Sequence, residues 1–230
     1  MKKKLKKVSV IGQGFVGLPM SIAIASARDS KGKSIFNVLG IEKNNSKGKN
    51  LKMAINNGSL PIKCNDRKIY QKFKKVKKVG NFHLSTELKD IKNSKVIIVS
   101  INFEINIKNR YPFYELKMFF NALAKLISKE TLIIVETTLP PGTCDRIIYP
   151  ILKSNFIKRG FNEDDILLSY SYERIMPGYN YYDSIINNYR VFSGINAKSK
   201  KNCKNFLSKV LNTKKFPLTL LNSNTECEFT

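Results

Sequence analysis

The tightest constraint on this 230-residue chain is a glycine spacing close to its start. Val8-Ser9-Val10-Ile11 is apolar and β-prone, Gly12-Gln13-Gly14-Phe15-Val16-Gly17 has the spacing G-x-G-x-x-G, and Leu18 to Ala27 opens apolar and helical. Chance supplies the spacing in many loops, so its context carries the weight: a strand must precede it and a helix must follow. Gly12 then permits the tight turn, Gly14 lets the backbone approach a pyrophosphate, and Gly17 lets the helix pack closely on the strand. The helix N-terminus offers unpaired N–H groups and partial positive charge to phosphate. The expected ligand is a dinucleotide on Gly12, Gly14, Phe15, Val16 and Gly17; the competing reading is an ordinary glycine-rich βα turn with no ligand.

A carboxylate stands where such a ligand would need one. Phe36 to Ile41 reads as the second strand and Glu42 follows it, 25 residues beyond Gly17. That distance slightly exceeds the usual value of roughly 20, and the polar stretch Arg28 to Ser34 accounts for the excess as a longer loop. A carboxylate here accepts hydrogen bonds from ribose hydroxyls and repels a 2′-phosphate, which favours NAD over NADP. Lys43 pulls the other way, since an adjacent cation could tolerate that phosphate.

Length suits one well-buried domain, with or without a small appendage. No apolar run approaches the roughly 18 residues of a membrane span. The N-terminal lysines lack the following apolar stretch of a signal peptide and read as a solvated entry to the first strand. Cys64, Cys144, Cys203 and Cys227 are far apart and form no C-x-x-C pair, which argues against a zinc site or a disulfide framework and fits a reducing cytoplasm. The single histidine, His83, excludes a His-based metal cluster and reads as structural. The formal net charge of +24 can mark a nucleic-acid binder. Here the lysines are scattered through every segment among abundant Asn and Ile, as an A+T-rich coding sequence would give, and no aromatic-interleaved basic stripe appears. No specific nucleic-acid partner is expected.

Apolar β-prone runs alternate with helical patterns, predicting a doubly wound, mainly parallel α/β sheet with helices on both faces. Further strands are expected at Val96 to Val99, Thr131 to Val135, Ile166 to Leu168, Arg190 to Phe192 and Phe216 to Leu221. Helices are expected at Ser46 to Asn57, Asp66 to Lys75, Tyr114 to Ser128, Thr143 to Leu152 and Ser199 to Leu211. Phe82 to Leu84 reads as a short strand and Thr86 to Ile91 as a short helix. The last residues look like the start of another helix, with Thr225 and Glu228 as a capping box.

Three blocks in order resemble the N-terminal domain of the UDP-glucose/GDP-mannose dehydrogenase family of nucleotide-sugar 6-dehydrogenases. They are Val10 to Pro19, Val135-Glu136-Thr137-Thr138-Leu139-Pro140-Pro141-Gly142-Thr143, and Ser171-Tyr172-Glu173-Arg174-Ile175-Met176-Pro177-Gly178 closed by Arg190 to Ile195. The resemblance covers nearly the whole chain and implies a Rossmann-type NAD-binding domain over residues 1–221, with residues 222–230 starting a linker helix. Such enzymes oxidise the C6 alcohol of a nucleotide-linked sugar to a carboxylate in two hydride transfers, using two NAD+, with a cysteine thiolate capturing the aldehyde and the thioester then hydrolysed. Thr138 matches the strand-end threonine that helps hold a catalytic water near the nicotinamide. Its bland alternative is a capping hydroxyl. Glu173 matches the glutamate assigned to proton transfer in thioester hydrolysis, a role that suits a carboxylate whose pKa burial raises. Its alternative is a surface carboxylate paired with Arg174.

Departures from the pattern matter too. The family's Ser-Pro-Glu-Arg is here Ser171-Tyr172-Glu173-Arg174, and its Val-Pro-Thr-Pro-like loop is Ser100-Ile101-Asn102-Phe103. The form Glu-Arg-x-x-Pro-Gly resembles the branch acting on N-acetylated UDP-hexosamines. Neither the linker lysine and asparagine nor the nucleophilic cysteine of the C-terminal domain can be placed. Cys144, in its turn, reads as structural. The resemblance therefore implies a nucleotide-sugar substrate, no membrane, and a separate chain carrying the missing domain; the alternative is a non-catalytic NAD-binding module, and more remotely a polyanion binder that recruited the fold.

Overall fold

The computed structural model describes residues 5–103 and 113–230. Six strands form one wholly parallel sheet: β1 (Lys6–Ile11), β2 (Phe36–Ile41), β3 (Phe82–Ser85), β4 (Val96–Val99), β5 (Leu132–Val135) and β6 (Leu167–Tyr170). Their spatial order is β3-β2-β1-β4-β5-β6. The chain runs outward from β1 through β2 to β3, then returns to the other side of β1. That reversal leaves a crevice outside the carboxyl ends of β1 and β4, the place where sheets of this kind bind ligands. Two short strands, β7 (Arg190–Phe192) and β8 (Leu218–Leu220), pair separately and in parallel.

Helices cover both faces because the central strands are apolar on both. Val8 and Val10 of β1 and Ile98 of β4 pack into one core half, with α1 (Gly17–Ser26), α2 (Ser46–Asn56), α3 (Arg67–Val79), α6 (Tyr181–Ile186) and α7 (Ala197–Val210). Ile97 and Val99 of β4 and Ile133 and Val135 of β5 point the other way, against α4 (Tyr114–Leu126), α5 (Tyr149–Lys158) and α8 (Asn224–Glu228). The alternation is the period-two geometry of a strand.

Several element limits differ from the sequence expectation for identifiable reasons. The third helix runs past Lys75 to Val79, because Val76 is buried and Gly80 then supplies a left-handed C-cap at φ 75°. Instead of one helix from Thr143, residues Cys144–Ile148 form a π turn that leads into α5. Pro150 accounts for it: with no N–H to give, it cannot sit within a regular helical ladder, and a widened turn takes up the mismatch. The expected short helix after β3 contracts to a 3-10 turn, Leu88–Ile91. Lys6 and Lys7 belong to β1 itself, and Lys7 donates to the Lys92 carbonyl at 2.9 Å; residues 2–4 of the lysine run lie outside the described residues. Thr225 is not a cap. Ser223 fills that role by accepting from the Glu226 N–H at 3.0 Å, and the side chain of Glu228 goes elsewhere. Among the described residues, no helix is long and apolar enough to cross a membrane.

Candidate active site

The glycine turn is built by contact distances. A Cβ on Gly12, whose φ is +89°, would come within 2.6 Å of the Ser100 carbonyl oxygen at the end of β4. One on Gly17 would come within 1.8 Å of the Gly12 carbonyl oxygen. Neither position can hold a larger residue without moving backbone. A Cβ on Gly14, by contrast, would meet nothing within 4 Å, so that face of the turn is open. The N–H groups of Gly14, Phe15 and Val16 have no acceptor among the described residues, and Val16 opens α1 with no side-chain cap. Unpaired amides at a helix start facing open space are an anion cradle.

Glu42 closes one end of that cradle. Its carboxylate accepts from the Gln13 N–H at 2.8 Å and from its neighbour Lys43 at 2.9 Å. The acid that follows β2 is thereby held against the glycine turn. The side chain of Gln13 is buried, donating to the Val10 carbonyl at 2.8 Å. It braces the turn from behind.

A cavity of about 1080 Å³ runs from there across the carboxyl ends of β1, β2, β4 and β5. It is as large as the largest small-molecule sites, for which roughly 300–1,000 Å³ is usual, and so has room for a dinucleotide. Gly12 to Val16 and Glu42 line one part, and Thr138 and Glu173 line another. The structure therefore brings every site residue expected from the sequence onto this cavity or, for Gly17, directly beneath it. Thr138 is exposed to the cavity; the capping hydroxyl of the Pro-Pro-Gly turn belongs to Thr143, which donates to the Pro140 carbonyl. Phe103, in the segment that follows β4, also lines the cavity and packs on Phe119 with ring centroids 5.6 Å apart.

Glu173 is not a surface carboxylate. It is 7% exposed, and Arg174 turns away to the Thr230 carbonyl at 2.6 Å. Burial, seconded by the nearby Glu136 carboxylate, raises its pKa to about 7; Arg190 and the Ile175 N–H, which donates to it at 2.6 Å, oppose that rise. Glu136, at the end of β5, is itself fully enclosed and held by Arg190 Nη1 at 2.8 Å. Its pKa is also raised, because desolvation outweighs the attraction of Arg190. The sequence reading gave neither Glu136 nor Arg190 a role. Their signal was faint: an acid and a base placed at the ends of apolar strands, 54 residues apart.

None of the four cysteines lines the cavity. Cys144, Cys203 and Cys227 are buried. At Cys144 the helix start does not lower the thiol pKa. Glu228 occupies that start, accepting from the Gly142 N–H at 2.6 Å and the Cys144 N–H at 2.8 Å, and burial with this carboxylate pushes the thiol up. Asp145 returns the favour to α8, accepting from Thr225 Oγ1 at 2.8 Å and Asn224 Nδ2 at 2.9 Å. His83 lies on the edge strand β3, away from the cavity lining.

Residues 6–212 match the family model described as UDP-glucose/GDP-mannose dehydrogenase family, NAD binding domain. The UDP-N-acetyl-D-mannosamine dehydrogenase of Pyrococcus horikoshii is 25% identical over 193 residues, covering 84% of this chain and 42% of that protein. The UDP-N-acetyl-D-glucosamine 6-dehydrogenase of Pseudomonas aeruginosa is 26% identical over 172 residues, 75% of this chain and 36% of that protein. The crystal structure of an NDP-N-acetyl-D-galactosaminuronic acid dehydrogenase from Methanosarcina mazei superposes with a TM-score of 0.83 at 25% identity, over 99% of this chain and 46% of that one. The chain spans less than half the length of these relatives.

Proposed function

We propose that this chain, which belongs to the UDP-glucose/GDP-mannose dehydrogenase family, supplies the NAD-binding half of a nucleotide-sugar 6-dehydrogenase that takes a UDP-hexose or UDP-N-acetylhexosamine to its uronate. The carrying observation is the placement of two kinds of residue on one cavity, with the amide cradle and Glu42 at one part and Thr138 with Glu173 at another. The Gly14 to Val16 amides hold the diphosphate and Glu42 takes the adenosine ribose. When bound, NAD+ supplies the hydride acceptor for oxidation of the sugar carbinol.

The remaining chemistry belongs to side chains. Thr138 offers a hydroxyl, free of any capping duty, to orient water at the reacting end. Glu173 is a carboxyl that titrates near neutrality, so it takes a proton from that water and gives it up again at the working pH. The buried Glu136–Arg190 pair fixes the electrostatic floor beneath it. The thiol that captures the aldehyde has to come from outside these 230 residues, since no cysteine here reaches the cavity. The same fact supports a second reading, a non-catalytic NAD-binding module. N-acetylated sugars are favoured by the Glu173-Arg174-x-x-Pro177-Gly178 segment and by the names of the relatives.

Isothermal titration of the chain with NAD+ and NADP+ tests the first half of this reading, with NAD+ expected to bind more tightly. NADH production from UDP-N-acetylhexosamines, by the chain alone and after mixing with a separately expressed cysteine-bearing domain from a relative, tests the second. Turnover only in the mixture supports a split active site. Turnover by the chain alone overturns it, and none in any mixture favours the binding module.

A further inference from the structure

We propose that Tyr181 is a positioning residue for the diphosphate-binding turn, standing in for a backbone rung that Pro19 removes and tying the Glu173 segment to that turn. The inference rests on the cofactor reading for its consequence, while its structural basis is independent of it.

The ladder at the start of α1 has a gap. Leu18 N–H donates to the Gly14 carbonyl at 3.2 Å, and Met20 N–H donates to the Val16 carbonyl at 3.1 Å. The rung between them would run from residue 19 to the Phe15 carbonyl, but residue 19 is proline and has no N–H. Proline is well tolerated in a first helical turn for its own sake, because few donors there have partners in any case. The acceptor it deserts is another matter. Phe15 lies within the anion cradle, and its carbonyl fixes the peptide plane whose other end is the Val16 N–H.

Tyr181 supplies the missing donor. Its hydroxyl donates to the Phe15 carbonyl, across 166 residues of sequence. The ring is 1% exposed, so the hydroxyl is delivered on a rigid, packed arm. Two further links hold α6 in place. Asp66 accepts from the Tyr182 N–H at 2.6 Å and from the Lys68 N–H at 2.7 Å, joining the starts of α6 and α3. Ser184 Oγ donates to the Tyr181 carbonyl at 2.8 Å and accepts from the Met176 N–H at 3.1 Å. Glu173 in turn accepts from the Ile175 N–H one residue earlier. A continuous set of contacts thus leads from Glu173 through α6 to the carbonyl of Phe15, and a shift of the Glu173 segment is felt at the cradle.

The test is a double-mutant cycle with Y181F and P19A, because alanine at position 19 restores the N–H that the hydroxyl replaces. Y181F is expected to weaken NAD+ binding about three- to tenfold, the range of one net hydrogen bond, with the melting temperature near that of the parent chain. In the P19A background the same substitution is expected to cost less than twofold. Amide hydrogen exchange on the ligand-free proteins gives a readout that needs no cofactor: Leu18 and Met20 should exchange faster in Y181F and return towards the parent rate in P19A/Y181F. If the parent chain binds no NAD+, the cofactor reading fails, and the exchange cycle still decides the role of Tyr181. Equal cost of Y181F in both backgrounds, or unchanged exchange at Leu18 and Met20, overturns the proposal.

Discussion

Replacing Glu173 with glutamine should change how stability depends on pH, and by an amount the structure sets. The carboxyl has an ordinary pKa near 4.5 and is raised to about 7 by burial and by Glu136. The charged groups facing it are Glu136 from the end of β5 and Arg190 from β7, with the Tyr181 hydroxyl nearby on α6. Because the folded state binds this proton more tightly than the unfolded chain, unfolding free energy falls as pH rises through the window from 4.5 to about 7. The full contribution is present below 4.5 and lost above 7. At about 1.4 kcal/mol per unit, the total is roughly 3 kcal/mol, a large part of the about 5–15 kcal/mol that holds a domain folded. Glutamine is neutral throughout and has no such slope. Urea denaturation of the parent chain and E173Q in half-unit steps from pH 4.5 to 8, followed by circular dichroism, should show the variant gaining on the parent by roughly 3 kcal/mol. Glu136 remains in both proteins, so its own raised pKa largely cancels in the comparison. Parallel curves would refute the argument that Glu173 is buried, coupled and poised near neutrality.

Four further outcomes follow from the same geometry. R190M strands the enclosed Glu136 carboxylate and should cost about 3–5 kcal/mol at neutral pH in urea unfolding, with most of it regained in E136Q/R190M. G17A should lose about 3 kcal/mol or more, because its Cβ meets rigid backbone; G14A should keep parental stability within about 0.5 kcal/mol and instead weaken NAD+ roughly tenfold in calorimetry, near 1.4 kcal/mol. E228A leaves the Gly142 and Cys144 N–H groups without their acceptor and should lower the unfolding free energy by about 1–3 kcal/mol, measured in the same way.

How much of this was legible in the sequence depends on how local each feature is. Val96 to Val99 has the limits the residue pattern indicates, because a strand buried on both faces must be apolar throughout, and Phe36 to Ile41 and Arg190 to Phe192 match their expected limits as well. The glycine turn could be read because its spacing is local: a Cβ on Gly17 would meet the Gly12 carbonyl only five residues away. α6 could not. Its six residues pack through Tyr181, Tyr182 and Ile185, too short a run for helical periodicity to register. The Thr225–Glu228 spacing fits a capping box, but tertiary contact gives the Glu228 carboxylate the Gly142 and Cys144 N–H groups, in the turn and at the start of the π turn that leads into α5. The Glu136–Arg190 pair spans 54 residues and the Tyr181–Phe15 bond 166; no local pattern encodes either. For the second there was one clue, a proline in the first turn of α1 that leaves a carbonyl in want of a donor.

The proposed function stands or falls on whether the crevice beside β1 takes NAD through bare amides and a single carboxylate. A crystal structure of the chain grown with NAD+ tests it most directly. Diphosphate oxygens are expected on the Gly14 to Val16 amides, the adenosine ribose on Glu42, and the nicotinamide end towards Thr138 and Glu173. Coenzyme bound elsewhere, or a crevice left empty at saturating NAD+ with Glu42 still on Gln13, would contradict it.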